Sequence, residues 1–274
     1  MSTLLKSCVS QYKMNENAAS AAVADFKGVN AGTFTDATGN PFTNQHDTPG
    51  VITGTGALLF DGVDDHVSIG TMGHFAAFQQ SAISYWMKSS TTTVMYIFGT
   101  INDGTTTAIQ IGLNSNIAGA NVLGNIRLNI RDNDENLLRC GVESNTKITD
   151  GNYHFLVINI DRVNNAVDFY VDGVKFTTTY LFQQTPDNIT AVFQYPMVIG
   201  AQNSRGTVSV FYTGVIDIVA FYNRELTLQE IISLYNGGNG TQALYSLGDE
   251  GSVYGLNGQG SLYNKNGKVS LFGE

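Results

Sequence analysis

The run Ala57-Leu-Leu-Phe-Asp-Gly-Val-Asp-Asp-His-Val-Ser-Ile-Gly70 decides how this chain folds. Apolar side chains alternate into Phe60, Asp61-Gly62 breaks the pattern, and alternation resumes at Val67 and Ile69. Period-two alternation puts one set of side chains on one face of a strand. A glycine after an acidic residue supplies the positive φ that a tight turn needs. The stretch reads as strand, acidic turn, strand.

Outward from it, strands are expected at 82–88, 94–99, 107–113, 125–130, 137–142, 153–160, 166–171, 174–180, 196–201 and 208–222, behind a lead-in strand Cys8–Tyr12. Asn102-Asp-Gly104, Asn164-Asn165 and Asp172-Gly173 supply turns, and the Gly/Asn/Thr-rich stretch 28–56 reads as a loop. Short strands at regular spacing with turn signals between them mean a sandwich or barrel. One helix is legible. Thr227-Leu-Gln-Glu230 forms a capping box, Leu228, Ile231, Ile232 and Tyr235 supply an apolar stripe, and Gly237 stands at the C′ position.

Composition narrows the function classes. With 14 Lys+Arg against 23 Asp+Glu and a net charge of −9, the chain has no basic cluster in sequence, which argues against nucleic-acid binding. No segment approaches the ~18 apolar residues needed to span a bilayer, so no membrane insertion is expected. The N-terminus lacks the apolar core of a signal peptide. The chain is therefore expected to leave its cell inside a particle, to be exported by another route, or to stay inside. Cys8 and Cys140 are too few for a disulfide scaffold or a zinc site; they are read as two free thiols, with a single bridge as the alternative.

From residue 242 a nine-residue period appears: Gln242-Ala-Leu-Tyr, Gly251-Ser-Val-Tyr, Gly260-Ser-Leu-Tyr and Val269-Ser-Leu-Phe, each followed by turn residues. Such units read as short strands that cannot bury a face alone. Residues 238–274 are expected to be a β-rich extension for docking or oligomerisation behind a domain over 1–237. The alternative is a flexible low-complexity tail.

The opening run has two companions, Asp150-Gly-Asn-Tyr-His-Phe-Leu-Val-Ile-Asn-Ile160 leading to Asp168-Phe-Tyr-Val-Asp-Gly-Val174, and Gly214-Val-Ile-Asp-Ile-Val-Ala-Phe-Tyr-Asn-Arg-Glu-Leu226. In this order the three resemble the laminin-G-like (concanavalin-A-like) jelly-roll family. The resemblance implies an all-β, two-sheet antiparallel jelly-roll sandwich with one short C-terminal helix. It also implies a structural Ca2+ held by Asp25, in Val-Ala-Asp-Phe-Lys-Gly, and Asp217, in Gly-Val-Ile-Asp-Ile-Val. Phe26-Lys27 departs from the small polar residues usual there and brings a positive charge beside the metal. Without a metal, Asp217 would instead accept hydrogen bonds from loop backbone N–H groups. Trp86 matches the family's core strand tryptophan, and His154 follows Tyr153 where the family has a Trp-His pair.

Enzyme signatures are absent from the sequence. No Glu-x-Asp-x-x-Glu strand occurs, and Asp132-Asn-Asp-Glu135 lies in a turn without the spacing of a paired acid and nucleophile. Asp61, Asp64 and Asp65 are read as turn formers, and His46, His66, His74 and His154 show no metal-ligand spacing. The expectation is a non-enzymatic structural or adhesive virion protein: a phage capsid decoration, fibre or tail component whose partners are other virion proteins or copies of itself through 238–274. The alternative is a free carbohydrate-binding lectin or adhesin, extracellular or at a cell surface, with a surface glycan as its partner. Tyr85, Tyr96, Phe169 and Tyr170 are then the strand aromatics available to stack on sugar rings.

Overall fold

Gly56–Asp61 and His66–Ser68 are both strands, yet they belong to different sheets. The acidic turn between them is thus a corner joining the two layers, not a hairpin. The computed structural model describes residues 3–15, 21–28, 30–35, 48–53, 55–72, 78–101, 108–114, 124–142, 148–189, 193–242, 253–255, 261–263 and 269–271. The expected Asn102–Gly104 turn, His46 and His74 lie outside these residues.

The first sheet has eight strands, in the order Val174–Phe176, Ala166–Val171, Tyr153–Asp161, Gln80–Lys88, Thr213–Tyr222, Gly56–Asp61 and Thr48–Pro49, with Cys8–Tyr12 also pairing with Thr213–Tyr222. Its neighbours are all antiparallel. The second, eleven-stranded sheet runs Thr179–Gln183, Leu137–Val142, Ile126–Arg131, Ala108–Leu113, Met95–Ile101, Val198–Ile199, His66–Ser68, Gly32–Thr35 and Ala22–Val23. Gln202–Ser204 joins it parallel to Met95–Ile101 and pairs with Thr207–Ser209. The stretch read as a 28–56 loop therefore contains a strand, Gly32–Thr35, paired with His66–Ser68. Its Gly-Thr-Phe-Thr is too short for alternation to stand out.

Inward side chains of both sheets form the main core, including Phe60, Tyr85, Phe98, Leu128, Phe169 and Phe221. Phe60 fits because position 200 is glycine: a Cβ there would overlap its ring, and Gly200 also holds φ +85. A second core covers the outer face of the eight-stranded sheet. There Trp86, 1% exposed, lies 5.2 Å from the Phe155 ring and stacks at 5.8 Å on Tyr235 of the helix. Leu4, Tyr222, Ile231 and Leu234 complete it.

The helix Leu228–Tyr235 begins at the expected box, with the Glu230 backbone N–H donating to Thr227 Oγ1 and the Thr227 N–H donating to the Glu230 carboxylate. Its buried face differs from the expected stripe. Ile231 and Leu234 are buried, while Leu228 and Ile232 are 52% and 51% exposed. At 100° per residue Leu228 and Ile232 point away from the sheet. Asn236 takes the first left-handed position (φ 50), one residue before Gly237. Cys8 and Cys140 are buried free thiols. Val253–Gly255, Ser261–Tyr263 and Val269–Leu271, one described segment from each of the last three repeats, form an antiparallel three-stranded sheet. Among the described residues no helix is long and apolar enough to cross a membrane.

Candidate functional site

Thr213–Tyr222 changes partner midway. Residues 213–216 pair with Gly56–Asp61, and residues 219–222 pair with Cys8–Tyr12. Asp217 and Ile218 fall in the gap, where the register to Gln80–Lys88 also slips and Ile218 takes φ 45. This bulge re-aims Asp217. Its carboxylate is fully buried; Oδ2 accepts the Val51 N–H at 2.9 Å, and Oδ1 has no hydrogen-bond partner among the described residues. Burial pushes its pKa up to about 7, against the opposing pull of the Val51 and Ile218 N–H groups. Gln11, paired with Ala220 on the same strand, likewise carries a buried amide oxygen without a partner among the described residues.

Asp25 is held by different backbone. Oδ1 accepts N–H bonds from Gln11 and Lys27 at 2.9 Å each, and Oδ2 accepts one from Asn30 at 3.0 Å. Lys27 Nζ donates to the Leu5 carbonyl at 3.0 Å. Asp25 forms a backbone bridge to Tyr12, which pairs with Val219, so both expected calcium ligands flank the end of one strand pair.

Among the described residues two other clusters each bring three carboxylates within 4.8 Å of one another: Asp61, Asp64 and Asp65, and Asp132, Asp134 and Asp187. Both are turn architecture. Asp65 Oδ2 accepts the Asp61 N–H at 2.8 Å, and Asp61 Oδ1 accepts the Val63 N–H at 2.7 Å. Asp132 accepts five hydrogen bonds, from Asp134, Asn136 (twice), Asp187 and Asn188. Burial alone would raise its pKa, but these donors hold it below the usual carboxylate value. His154 is bonded on both ring nitrogens, at 2.7 Å to Asp172 and 3.1 Å to Asp150. The Asp172 bond raises its pKa, with burial opposing and Asp150 assisting.

The strand aromatics divide by face. Tyr85 and Phe169 are fully buried between the sheets, and Tyr170 is 8% exposed on the helix side, so none of the three offers an open ring. Tyr96 alone, half-buried, lies on the outer face of the eleven-stranded sheet. That face carries residues the sequence reading passed over. In register across four strands stand Phe182, Arg139, Asn129 and Gln110. Arg139 Nε donates to Asn129 Oδ1 at 3.1 Å, and Asn129 Nδ2 donates to Gln110 Oε1 at 3.0 Å. The Arg139 guanidinium lies 5.6 Å from the Phe182 ring, which is 44% exposed. One row over, Arg127 Nη2 donates to the Tyr96 hydroxyl at 2.9 Å. Arg131, Arg139, Asn129 and Gln110 line a cleft of about 420 Å³; the one carboxylate lining it among the described residues, Glu135, sits 3.4 Å from Arg131. The alternation Ile126-Arg-Leu-Asn-Ile-Arg131 already placed Arg127, Asn129 and Arg131 on one face; the registers that add Arg139 and Gln110 needed the fold.

Two antiparallel sheets, one backed by a helix and the other presenting a polar and aromatic face, define a concanavalin-A-like sandwich. The chain belongs to the concanavalin A-like lectin/glucanases superfamily, whose laminin-G profile matches residues 61–232. A search of the curated proteins gives no match. Among solved structures it is similar to domain 4 of AbnA, a GH43 extracellular arabinanase of Geobacillus stearothermophilus, in complex with arabinotriose (18% identity, 82% of this chain and 97% of that one, TM-score 0.55). It is also similar to the receptor-binding domain of botulinum neurotoxin mosaic serotype C/D (13%, 86% and 52%, TM-score 0.58). A third is the binding domain of Paraclostridial Mosquitocidal Protein 1 (11%, 85% and 53%, TM-score 0.56). The chain spans about half the length of the two toxin domains. At these identities the likeness is one of fold.

Proposed function

We propose that this protein is a non-catalytic carbohydrate-binding module that uses the outer face of its eleven-stranded sheet. The observation that carries the reading is the row Phe182, Arg139, Asn129 and Gln110 beside Tyr96, where an exposed ring adjoins ordered polar side chains. Aromatic faces stack on sugar rings while amides and guanidinium groups bond their hydroxyls. Glycoside hydrolysis by the usual route needs two carboxylates, and among the described residues this cleft is lined by one. The arabinotriose complex of the similar arabinanase domain supports a saccharide as the class of ligand. Affinity electrophoresis on neutral and acidic polysaccharides tests this. Retardation that Phe182→Ala and Tyr96→Ala abolish is expected, and migration unaffected by any polysaccharide would sink the reading.

A structural calcium at the strand bulge belongs to the same proposal. Asp217 Oδ1 and Gln11 Oε1 are buried oxygens with no partner among the described residues, and oxygen donors suit calcium. Asp25, the second carboxylate of the expected pair, has its oxygens engaged by three N–H groups, so Asp217 supplies the charge in need of compensation. Calcium should raise the melting temperature of the wild type and not of Asp217→Asn; an equal response in both removes Asp217 from the site.

The C-terminal repeats favour one further reading, a binding module displayed on a virion through residues 238–274. The antiparallel sheet of Val253–Gly255, Ser261–Tyr263 and Val269–Leu271 suits docking on another subunit, because its two outer strands have no further partner among the described residues. Deleting residues 238–274 should leave saccharide binding intact and abolish self-association or incorporation into particles. Unchanged assembly would count against it.

A further inference from the structure

The geometry points to an anionic saccharide as the ligand of this face, an inference that rests on the carbohydrate reading and narrows it. The chain carries net charge −9, yet four of its six arginines, Arg127, Arg131, Arg139 and Arg205, stand on one outer sheet face or its rim. Register brings Arg139 close to two of them: Arg139 pairs with Asn129, which lies between Arg127 and Arg131 on the neighbouring strand. Like charges so placed repel, more so where side chains are half-buried and solvent screens them less. Arg139 registers this. Burial, then Arg127 and Arg131, draw its pKa below the usual guanidinium value, with Tyr96 opposing.

Arg139 is also oriented. Its Nε is fixed by Asn129 and its plane lies beside Phe182, while its two terminal nitrogens make no hydrogen bond among the described residues. Gln110 is fixed from the other side, accepting from Asn129 through Oε1, which leaves its amide nitrogen as a further donor in the same cleft. Converging donors, with one carboxylate among the described lining residues and that one beside Arg131, match an acceptor-only group. A planar guanidinium fork takes a carboxylate or sulfate oxygen pair in two parallel bonds. The exposed Phe182 ring alongside gives the apolar surface against which the sugar ring bearing that group would lie. A uronic acid unit and a sulfated sugar share this chemistry.

Calorimetric titration of the full chain with tetragalacturonate, a heparin-derived tetrasaccharide and neutral cellotetraose tests the inference. At least one acidic probe should bind about tenfold or more tightly than cellotetraose and weaken as salt is raised. Binding of tetragalacturonate alone assigns a carboxylate, and binding of the heparin fragment alone assigns a sulfate. Arg139→Ala should cost about tenfold or more on the acidic probe, with Arg139→Lys restoring part of it. Should neither variant fold, as judged by its thermal transition, the salt dependence and acidic preference of the wild type still decide. Neutral and acidic probes binding alike, or Arg139→Ala binding as the wild type does, overturns the anionic assignment and leaves the carbohydrate reading standing. No binding of any saccharide overturns both.

Discussion

Replacing Asp132 by asparagine should destabilise the molecule measurably. Asp132 is fully buried at the end of Ile126–Arg131. Oδ1 accepts from the Asp134 and Asn136 N–H groups at 2.9 and 2.8 Å, and Oδ2 accepts from Asn136 Nδ2, the Asp187 N–H and the Asn188 N–H at 3.0, 3.1 and 3.3 Å. An asparagine keeps one oxygen and turns an amide NH2 toward the donors on the other side. Asn136 Nδ2 can turn to solvent, whereas the backbone N–H groups of 187 and 188 lose the acceptor that ties their exposed loop to the strand end. At about 0.5–1.5 kcal/mol for each of the two part-buried bonds, the loss comes to about 1–3 kcal/mol. The pH dependence fixes the sign. Asp132 is held below its ordinary pKa, so its stabilisation is present above the unfolded value of about 3.9 and is lost as pH falls through the folded value. Denaturant titrations of wild type and Asp132→Asn at neutral pH, and stepwise into acid, should show a gap that narrows in acid. A neutral-pH difference under about 1 kcal/mol, the ordinary worth of a single hydrogen bond, would refute the account of this carboxylate as the pin between two loops.

Three further outcomes follow from the packing and the charges. His154 is raised in pKa chiefly by Asp172, so its contribution is full below the unfolded value of about 6.5 and is lost as pH rises through the folded value. His154→Gln should therefore lower Tm more at about pH 5.5 than at about pH 8.5, and an equal deficit would contradict this. Thr227→Ala removes the helix cap and should cost about 1 kcal/mol in chemical denaturation, with saccharide binding unchanged. Trp86→Ala empties the centre of the second core and should cost about 3–5 kcal/mol, seen together with loss of the near-ultraviolet circular dichroism of the Trp86–Tyr235 stack. A near-neutral effect would show that the helix is dispensable.

Strand positions were legible because alternation is local: Leu137–Val142 and Ala166–Val171 fall where the pattern put them. The Asp172-Gly173 turn was legible too, and its positive φ values of 53 and 80 are the ones an Asp-Gly pair takes readily. What depended on partners was not. The Asp61-Gly62 turn reads alike whether it closes a hairpin or rounds a corner between sheets. Tyr85 and Tyr96 look equivalent in sequence, yet one faces the opposite sheet and the other faces outward. The arginine face arises from Arg127, Arg131 and Arg139 meeting across a register that no short window contains. Leu228 and Ile232 passed for core because a four-residue spacing marks one helix face without saying which way it points.

The pairing of Cys8–Tyr12 with Thr213–Tyr222 has a consequence for how the molecule is made. Cys8 meets Tyr222, and that same late strand also lies between Gln80–Lys88 and Gly56–Asp61. On a ribosome, the N-terminal strand, with Cys8 and Tyr12 destined for the interior, emerges first and waits for nearly the whole domain before its partner exists. Neither the centre of the eight-stranded sheet nor the cover over Trp86 can close until residues 213–235 have left the exit tunnel. Sheets joined by such distant contacts close slowly and expose strand edges while they wait. A nascent chain arrested before residue 213 should therefore remain protease-sensitive throughout, and one extended past residue 237 should become resistant in a single step.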